Sequence, residues 1–310
     1  MTQPISAVVP TANRPKVLQA TLSSLAQQSV QPAEIIIVDA SEGEETKLVC
    51  EVGVDNLQSR IVYQKAVQKG AASQRNEGVD KADFEFILFF DDDIFFEPFC
   101  IERLWNGINT SDKIGGINCM VTNQRYLKPG KLTSMMYHIM NGEKLKTYAG
   151  KCIGPAWNLL PEDDNALPEI NKTEWINTTC TLYRKEALPN PVFPEYFKGY
   201  SMMEDLTLSS IVGRNYDLYN ARTARIFHDS QPGSHKNNLF EIAKMETVNR
   251  HFVMVNILNR KGFKFHVKLV LLEMFFILSN VTSLNGLKKL PLILAGKITA
   301  IPATFSNTDK

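Results

Sequence analysis

The sequence predicts an α/β fold in which parallel strands alternate with helices. In the first third of the chain, short apolar runs alternate with segments of helical periodicity, which is the pattern of βαβ units. Two of these runs, Ile35–Val38 and Phe86–Phe90, end directly on aspartates. From Asn238 onward the periodicity is helical, so a helical C-terminal extension should follow the α/β part.

The first strand and helix have clear boundary signals. Ile5–Val9 is a compact apolar run closed by Pro10, which predicts a strand. Asn13 is a suitable helix cap, and Pro15 suits a first helical turn. Apolar residues then recur at helical spacing as far as Gln28, at Val17, Leu18, Leu22 and Leu25. Ile35–Val38 follows as a buried strand that ends on Asp39.

Three further elements lead to the acidic segment Asp91-Asp92-Asp93. Arg60–Gln64 predicts a strand, Ala71–Lys81 a helix, and Phe86–Phe90 another strand. Ligands of open α/β sheets bind beyond the carboxyl ends of the strands. Because Asp39 and the triple aspartate end separate strands, we expect them to converge.

The middle of the chain is less regular. We expect a helix from Pro98 through Trp105 and a strand at Ile114–Val121. From about 128 to 174 the pattern dissolves into Gly, Pro and polar residues, which predicts long loops of the kind that cover substrates. Trp175–Tyr183 alternates like a strand, and a helix should begin near Glu204.

Composition excludes several classes of protein. The 310 residues carry a net charge of +1 with 22% charged residues, so the chain lacks the basic excess of a nucleic-acid binder. Five widely spaced cysteines without a CxxC pair argue against a disulfide framework or a cysteine zinc site, and suit a reducing, cytoplasmic compartment. The N-terminus shows no signal peptide pattern.

The triple aspartate predicts a metal site. Adjacent carboxylates raise one another's pKa, and a divalent cation removes that cost. Hard oxygen ligands suit Mn²⁺ or Mg²⁺, which would bridge a diphosphate and neutralise charge on a leaving group. The alternative is a solvated acidic turn. The apolar runs Phe86–Phe90 and Ile94–Phe96 favour the metal site, because they would fix the aspartates at the edge of a buried sheet.

The second acidic pair is Glu204-Asp205. A carboxylate in reach of a hydroxyl can take its proton when the oxygen attacks. An acidic first turn also stabilises a helix through the macrodipole, and spacing alone gives that structural role at least equal weight.

Four segments of the chain, in this order, resemble the motifs of the family 2 glycosyltransferases of GT-A fold. The first is the N-terminal part, which comprises Val8–Pro15, Leu22–Gln28 and Glu34–Asp39. The second, Gln74-Arg75-Asn76-Glu77-Gly78, is similar to the family's "ARN-x-G" helix. The third, Phe89–Asp93, is similar to its DxD segment, and the fourth, Glu204-Asp205, to its late "ED" pair. Each motif alone is weak, but their common order makes the resemblance specific.

The resemblance implies a GT-A fold, a Rossmann-like mixed sheet flanked by helices. We expect a catalytic domain at 1–235, with a nucleotide-binding half at about 1–125 and an acceptor-side half at about 126–235. A helical extension would occupy 236–310.

The resemblance also implies roles for single residues. The nucleotide would be bound by Pro10, Thr11, Arg14, Asp39, Arg75, Asp91 and Asp92, with Asp39 at the base or ribose and Arg75 near the diphosphate. The metal would be held by Asp91 and Asp93. Asp205 would be the general base with Glu204 beside it, and the anomeric centre would be inverted by a single displacement.

Three further residues are candidates for the site. His228 follows a predicted strand at Thr223–Phe227 and matches a late histidine that some GT-A enzymes use as a metal ligand, although a lone histidine is more often structural. Trp157 and Tyr200 are candidates for stacking on an acceptor sugar. The chain departs from the family at Asp39-Ala40, where a second aspartate is common, so UDP, dTDP and GDP donors stay open.

The C-terminal helices allow two interpretations. Phe263–Leu278 and Leu287–Ile301 are apolar but too charged to span a bilayer. They either pack on the catalytic domain or a second subunit of a homodimer, or they rest on the inner face of the plasma membrane. The membrane contact through 263–301 would use lysines that favour anionic lipid, at 261, 264, 268, 288, 289 and 297.

The sequence therefore predicts a metal-dependent, inverting glycosyltransferase of surface-glycan synthesis. The donor would be a nucleotide-diphospho-sugar, and the acceptor a glycan or a polyprenyl-diphosphate-linked glycan. A catalytically silent binding or scaffold subunit is the alternative from another class. A nucleotidyltransferase is disfavoured, because the loop after the first strand, Pro10–Arg14, contains no glycine.

Overall fold

A computed structural model describes residues 1–197, 199, 201–231 and 238–306, with side chains as far as 304. Tyr200 therefore lies outside the described residues. Contacts between residues divide the chain into two compact units. Unit 1 comprises Met1–Tyr126 and Leu160–Gln231, and unit 2 comprises Leu127–Leu159 and the described residues after 237. The predicted domain boundary at 235 stays a prediction.

Unit 1 is built on a mixed sheet. Its strands are β1 Thr2–Thr11, β2 Gln31–Asp39, β3 Arg60–Lys65, β4 Phe86–Phe90, β5 Ile94–Phe96, β6 Ile114–Val121, β9 Ile170–Thr173, β10 Cys180–Arg184 and β11 Asp217–His228. The helices of this unit are α1 Pro15–Leu25, α2 Glu45–Val52, α3 Ala71–Val79, α4 Cys100–Ile108 and α6 Glu204–Val212.

The order of the strands explains the mixture of directions. They run β3-β2-β1-β4-β10-β6-β11-β5, with β9 beside β11. The first four are parallel to one another, as the βαβ pattern predicted. β10 is then inserted antiparallel between β4 and β6, although it follows both of them in the chain.

The core of unit 1 lies between the sheet and two helices. Leu18, Leu22 and Leu25 of α1 and Leu104 of α4 are fully buried against the apolar strand residues. This confirms the helical spacing on which α1 was predicted. Three cysteines that are distant in sequence, Cys100, Cys119 and Cys180, also bury their thiols here within 4.8 Å of one another, which their spacing did not indicate.

Several predicted elements differ in detail. Asn13 does not cap α1: it has φ 58°, the N-cap is Arg14, and the Asn13 side-chain oxygen accepts a hydrogen bond from the amide of Glu42. Trp175 lies outside β10, which begins only at Cys180. The region predicted as long loops contains α5, Lys131–Asn141, whose helical spacing is interrupted by polar residues.

Unit 2 contains α5 and three longer helices, α7 Leu239–Phe252, α8 Phe263–Asn280 and α9 Leu284–Ser306, with a short hairpin of β7 Cys152–Ile153 and β8 Trp157–Asn158. Asn238 caps α7, because its side chain accepts a hydrogen bond from the Glu241 amide. The prediction of helices from Asn238 onward is thereby confirmed.

A buried ion network connects the three C-terminal helices. Arg250 of α7 contacts Glu246 at 2.7 Å and Glu273 of α8 at 3.4 Å. Lys297 of α9 pairs with the same two glutamates. Lys297 is only 7% exposed, so its predicted part in attracting anionic lipid is wrong. Among the helices that the structure describes, none has the length and apolarity needed to cross a bilayer.

Candidate active site

The two strand ends predicted to converge, at Asp39 and Asp91, lie at one edge of the sheet, on either side of the end of β1. Thr11 at the end of β1 is in register with Asp39 at the end of β2. β4 pairs with β1 on the other side and leads into Asp91, whose amide donates to the carbonyl of Thr179. Because all three strands are parallel, their carboxyl ends present these residues together.

Asp91, Asp93 and His228 form one group of potential metal ligands. One ligand atom from each of the three residues lies within 4.8 Å of the others. Nε2 of His228 is 3.0 Å from Asp93 Oδ1, and its Nδ1 is 3.0 Å from the side-chain amide nitrogen of Gln124. Two carboxylates and an imidazole are a donor set that fits a divalent cation.

Asp92 has different partners from its neighbours. It accepts hydrogen bonds from the Thr11 hydroxyl at 2.6 Å and from Arg14 at 3.2 Å. Arg14 also reaches Asp93 at 3.3 Å. The hydroxyl of Thr21, on α1, binds the carbonyl oxygens of Asp92 and Ile94. Asp92 thus ties the loop after β1 to the acidic turn.

The electrostatics distinguish the three aspartates. Burial raises the pKa of Asp91 more than the Arg75 guanidinium lowers it. Burial also raises the pKa of Asp92, to about 6, against the hydrogen bond from Thr11 and the charge of Arg14. Burial opposes the charge of Asp93 too, but hydrogen bonds from His228 and the Gln231 amide lower its pKa below the usual value. The turn is therefore a place where an added positive charge is favourable.

Arg75 connects the acidic turn to the second acidic pair. Its guanidinium donates to Asp91 Oδ1 at 2.6 Å and to Glu204 Oε1 at 3.3 Å, although 129 residues separate Arg75 from Glu204. Arg75 is only 3% exposed and lies over the ring of Phe193, 5.8 Å from its centroid. Both terminal nitrogens of the guanidinium face protein carboxylates, whereas its buried Nε has no hydrogen-bond partner among the described residues.

Glu204 and Asp205 begin α6, as predicted. Burial and the charge of Asp205 raise the pKa of Glu204 to about 8, and burial raises that of Asp205 to about 6. The Leu206 amide donates to Asp205 Oδ1 at 2.7 Å, which favours its charged form. The pair therefore takes up a proton more readily than two isolated carboxyls would, and the Leu206 amide favours the charged form of Asp205.

The helix α3 explains the motif Gln74–Gly78 residue by residue. Gln74 donates to the carbonyl oxygens of Thr11 and Val38 and so braces the ends of β1 and β2. Asn76 exchanges two hydrogen bonds of 2.8 Å with the backbone of Phe193. Glu77 accepts from the amides of residues 67 and 68. A Cβ at Gly78 would lie 2.3 Å from Val8, so only glycine allows α3 to approach β1 this closely.

The structure places the other predicted nucleotide residues as follows. Pro10 is buried at the end of β1. Asp39 is fully buried and its oxygens accept from the Ser41 amide at 2.8 Å and the Tyr63 hydroxyl at 3.0 Å. Sequence reasoning missed Thr21 and assigned no role to Gln74 within the α3 motif, because bonds from side chains to backbone carbonyl oxygens cannot be read from residue types.

Trp157, a predicted acceptor residue, belongs to unit 2. Its ring packs against Tyr137 at 4.8 Å and Phe276 at 5.3 Å between centroids. This arrangement is an aromatic cluster within that unit, and the acceptor role of Trp157 stays a prediction.

A cavity of about 250 Å³ borders the acidic turn in unit 1. Asp93, Thr21 and Phe95 line it, together with Lys16 of α1 and Gln231. Lys16 is exposed, so this cavity has a cation of its own beside the aspartate.

A known protein family matches most of the first two thirds of the chain. A family model described as glycosyl transferase family 2 matches residues 6–189. A GalNAc(5)-diNAcBac-PP-undecaprenol beta-1,3-glucosyltransferase of Campylobacter jejuni is 36% identical over 205 residues, which cover 63% of this chain and 56% of that protein. The chain thus spans little more than half the length of this relative.

Solved structures share the fold at low sequence identity. A mannosyltransferase of Pyrobaculum calidifontis, in complex with GDP-Man and Mn²⁺, has a TM-score of 0.55 at 13% identity and covers 98% of this chain and 76% of its own. S. aureus TarS 1-349 with UDP-GlcNAc has a TM-score of 0.52 at 16% identity, covering 97% and 91%. The predicted GT-A fold is confirmed. Since the family model matches more than half of the residues, the chain belongs to glycosyl transferase family 2.

Proposed function

We propose that this chain is a metal-dependent, inverting glycosyltransferase. It transfers a sugar from a nucleotide-diphospho-sugar to a hydroxyl of a glycan or lipid-linked acceptor. The observation that carries the proposal is the Arg75 contact between Asp91 and Glu204, because it joins a metal-ligand group to a carboxylate pair suited to proton transfer.

The residues that would hold Mn²⁺ or Mg²⁺ are Asp91, Asp93 and His228. When bound, the cation neutralises negative charge on the diphosphate leaving group. The chain adds cations of its own, because Arg14 and Lys16 lie beside Asp93 with exposed surface. Arg14 contacts two carboxylates but its side chain is 25% exposed, whereas Arg75 is only 3% exposed. Arg14 and Lys16 are therefore the candidates for phosphate contacts.

Asp205 is the candidate general base. The acceptor hydroxyl loses its proton to Asp205 while its oxygen forms a bond to the anomeric carbon. The bond from that carbon to the β-phosphate oxygen breaks at the same time, and its electron pair leaves with the nucleoside diphosphate. One displacement inverts the anomeric configuration, so no covalent intermediate on the protein is needed.

Glu204 positions this base. Burial raises the pKa of both carboxyls, and the hydrogen bond from the Leu206 amide favours the charged form of Asp205. Arg75 holds Glu204 on one side and Asp91 on the other. A shift of the base relative to the metal ligands is thereby resisted, which matters because misplacement by about 1 Å can cost roughly 10²-fold in rate.

The donor and acceptor are proposed from the relatives. The solved structures hold UDP-GlcNAc in one case and GDP-Man in the other, which supports UDP and GDP sugars as candidates. A dTDP sugar is a candidate from the sequence alone. The Campylobacter jejuni relative is named for a PP-undecaprenol glycan. We therefore propose a polyprenyl-diphosphate-linked acceptor and a peripheral membrane contact through 263–301.

The test of the proposed function is Asp205→Asn. Transfer should fall by roughly 10²–10⁴-fold, the usual contribution of a general base. Manganese-dependent binding of the donor nucleotide should stay near wild type, measured by thermal shift against UDP, dTDP and GDP sugars. Asp55→Asn, at an exposed position of unit 1, is the matched control and should change neither. Near-normal turnover by Asp205→Asn would show that the base is misassigned.

A further inference from the structure

A second cavity, of about 270 Å³, lies in unit 2 and is lined by three cations. Arg260 comes from the segment before α8, and Lys264 and Lys268 come from its first two turns. No carboxylate is among the described residues that line it. The volume is smaller than the roughly 300–1,000 Å³ of pockets for drug-sized ligands, and suits a small anion.

Backbone oxygens hold two of these three cations without neutralising their charge. Arg260 donates to the carbonyl oxygens of Gly154 and Cys152, in the β7–β8 hairpin. Lys268 donates at 2.7 Å to the carbonyl of Met140, in the last turn of α5. Among the described residues, no carboxylate forms an ion pair with Arg260, Lys264 or Lys268 within 4.0 Å.

The three positive charges of the cavity lie close together, so the binding of an anion there would be favourable. Burial lowers the pKa of Lys268, and the charges of Lys264 and Arg260 lower it further. Arg260 and Lys264 also lie over the ring of Phe265, at 5.9 and 5.1 Å from its centroid, which fixes them close together. The first turn of α8 begins at Gly262 without a side-chain cap, so its amides add positive potential on the same side.

An exposed apolar stripe runs along the same helix. Phe263 is 84% exposed and Val270 is 59% exposed, and Val267 and Met274 are exposed at the spacing that places all four on one side of α8. A ligand that combines anionic charge with a long apolar chain matches both features at once. A phosphodiester headgroup carries one negative charge, whereas a lipid-linked diphosphate carries two, nearer to the three cations.

We propose that Arg260, Lys264 and Lys268 form a binding site for the diphosphate of an isoprenoid lipid, whose chain lies along the apolar stripe of α8. This deepens the proposed function, since the diphosphate would be that of the lipid-linked acceptor. The site belongs to unit 2 and needs none of the residues assigned to metal binding or proton transfer.

The experiment is vesicle flotation of the full chain carrying Asp205→Asn, so that binding is measured without turnover. Neutral phosphatidylcholine vesicles are doped with an isoprenyl diphosphate, or with phosphatidylglycerol at equal charge. We expect binding only to the first kind, with competition by inorganic pyrophosphate. Lys264→Glu should weaken it by about tenfold or more, as expected for reversing one charge at a phosphate. Lys81→Glu, an equal charge change at an exposed position of unit 1 outside 263–301, is the matched control and should not weaken it.

Three outcomes would overturn the proposal. Unchanged binding by Lys264→Glu would exclude the cavity. Equal binding to phosphatidylglycerol vesicles would show attraction to membrane charge alone. Binding of pyrophosphate with no binding to vesicles would show a site for a free anion. Lys264 is exposed, so the variant should fold, and its circular dichroism checks this. Failure of the proposed function itself would appear separately, as normal transfer by Asp205→Asn.

Discussion

Replacing Gly78 by alanine tests how closely α3 must approach the sheet. The added methyl group would lie 2.3 Å from Cγ1 of Val8 and 3.3 Å from Cγ2 of Val38. Carbon atoms in favourable contact are about 3.5–4.0 Å apart. Either α3 or Val8 must therefore move by about 1 Å, and Val8 is fully buried in β1 between two paired strands.

The expected cost follows from two opposing effects. Overpacking of this kind costs about 1–3 kcal/mol. Replacing glycine by alanine inside a helix returns about 0.5–1 kcal/mol. Gly78→Ala should therefore lower the free energy of unfolding by about 1–2 kcal/mol. Because α3 carries Arg75, a displacement near 1 Å should also lower the transfer rate, by as much as about 10²-fold.

The assay is urea denaturation followed by tryptophan fluorescence, with Val8→Ala as the second arm of a double-mutant cycle. Removing Cγ1 of Val8 leaves its Cβ 3.3 Å from the new methyl group, so rescue should be partial. The loss in free energy of unfolding of the double variant should be about 1 kcal/mol smaller than the losses of the two single variants added together. Gly130→Ala, where no atom lies within 4 Å of the added Cβ, is the control. Additivity of the two changes within roughly 0.3–0.5 kcal/mol would refute the contact.

Three other predictions concern the metal group, the base and unit 2. Asp93→Ala removes a metal ligand and the hydrogen-bond partner of His228, so it should weaken manganese-dependent nucleotide binding by more than about tenfold. Calorimetry measures this affinity, and equal affinity of the wild type with and without Mn²⁺ would contradict the prediction. Asp205 acts as a base only when ionised, and its pKa is raised to about 6. The transfer rate should therefore fall as the pH drops through that value and become constant above it. A constant rate from pH 5 to 8 would exclude Asp205 as the base. Asn238→Ala removes the α7 cap and should lower thermal stability by about 1 kcal/mol without changing nucleotide affinity.

The three aspartates of the acidic turn have different contacts and therefore different expected roles. Asp91 and Asp93 lie with His228 in a single ligand group. Asp92, between them, is bonded to Thr11 and Arg14 instead. Successive residues of a turn point in different directions, so a run of three like charges need not bind as one unit. We expect Asp92→Asn to act through the β1 loop rather than through the cation.

The predicted elements and family depended on local information. The strand at Phe86–Phe90 and the start of α6 at Glu204 were predicted correctly, because apolar periodicity and acidic first turns are properties of short segments. Where polar residues interrupt the periodicity, as in α5 at Lys131–Asn141, the same reasoning failed. The GT-A fold followed from motifs whose order along the chain is itself sequence information.

What only the tertiary structure decided is the choice of partners across long stretches of chain. The sequence predicted a phosphate contact for Arg75, but the order of strands and helices places it between Asp91 and Glu204. The sequence predicted Lys297 on the surface, but the side chain is buried and pairs with two glutamates of other helices. The convergence of Asp39 and the triple aspartate could be predicted, since the carboxyl ends of parallel strands lie at the same edge of a sheet. Which side chains neutralise one another there depends on distances that no local pattern records, because each charged group pairs with whatever opposite charge the fold brings within a few ångströms.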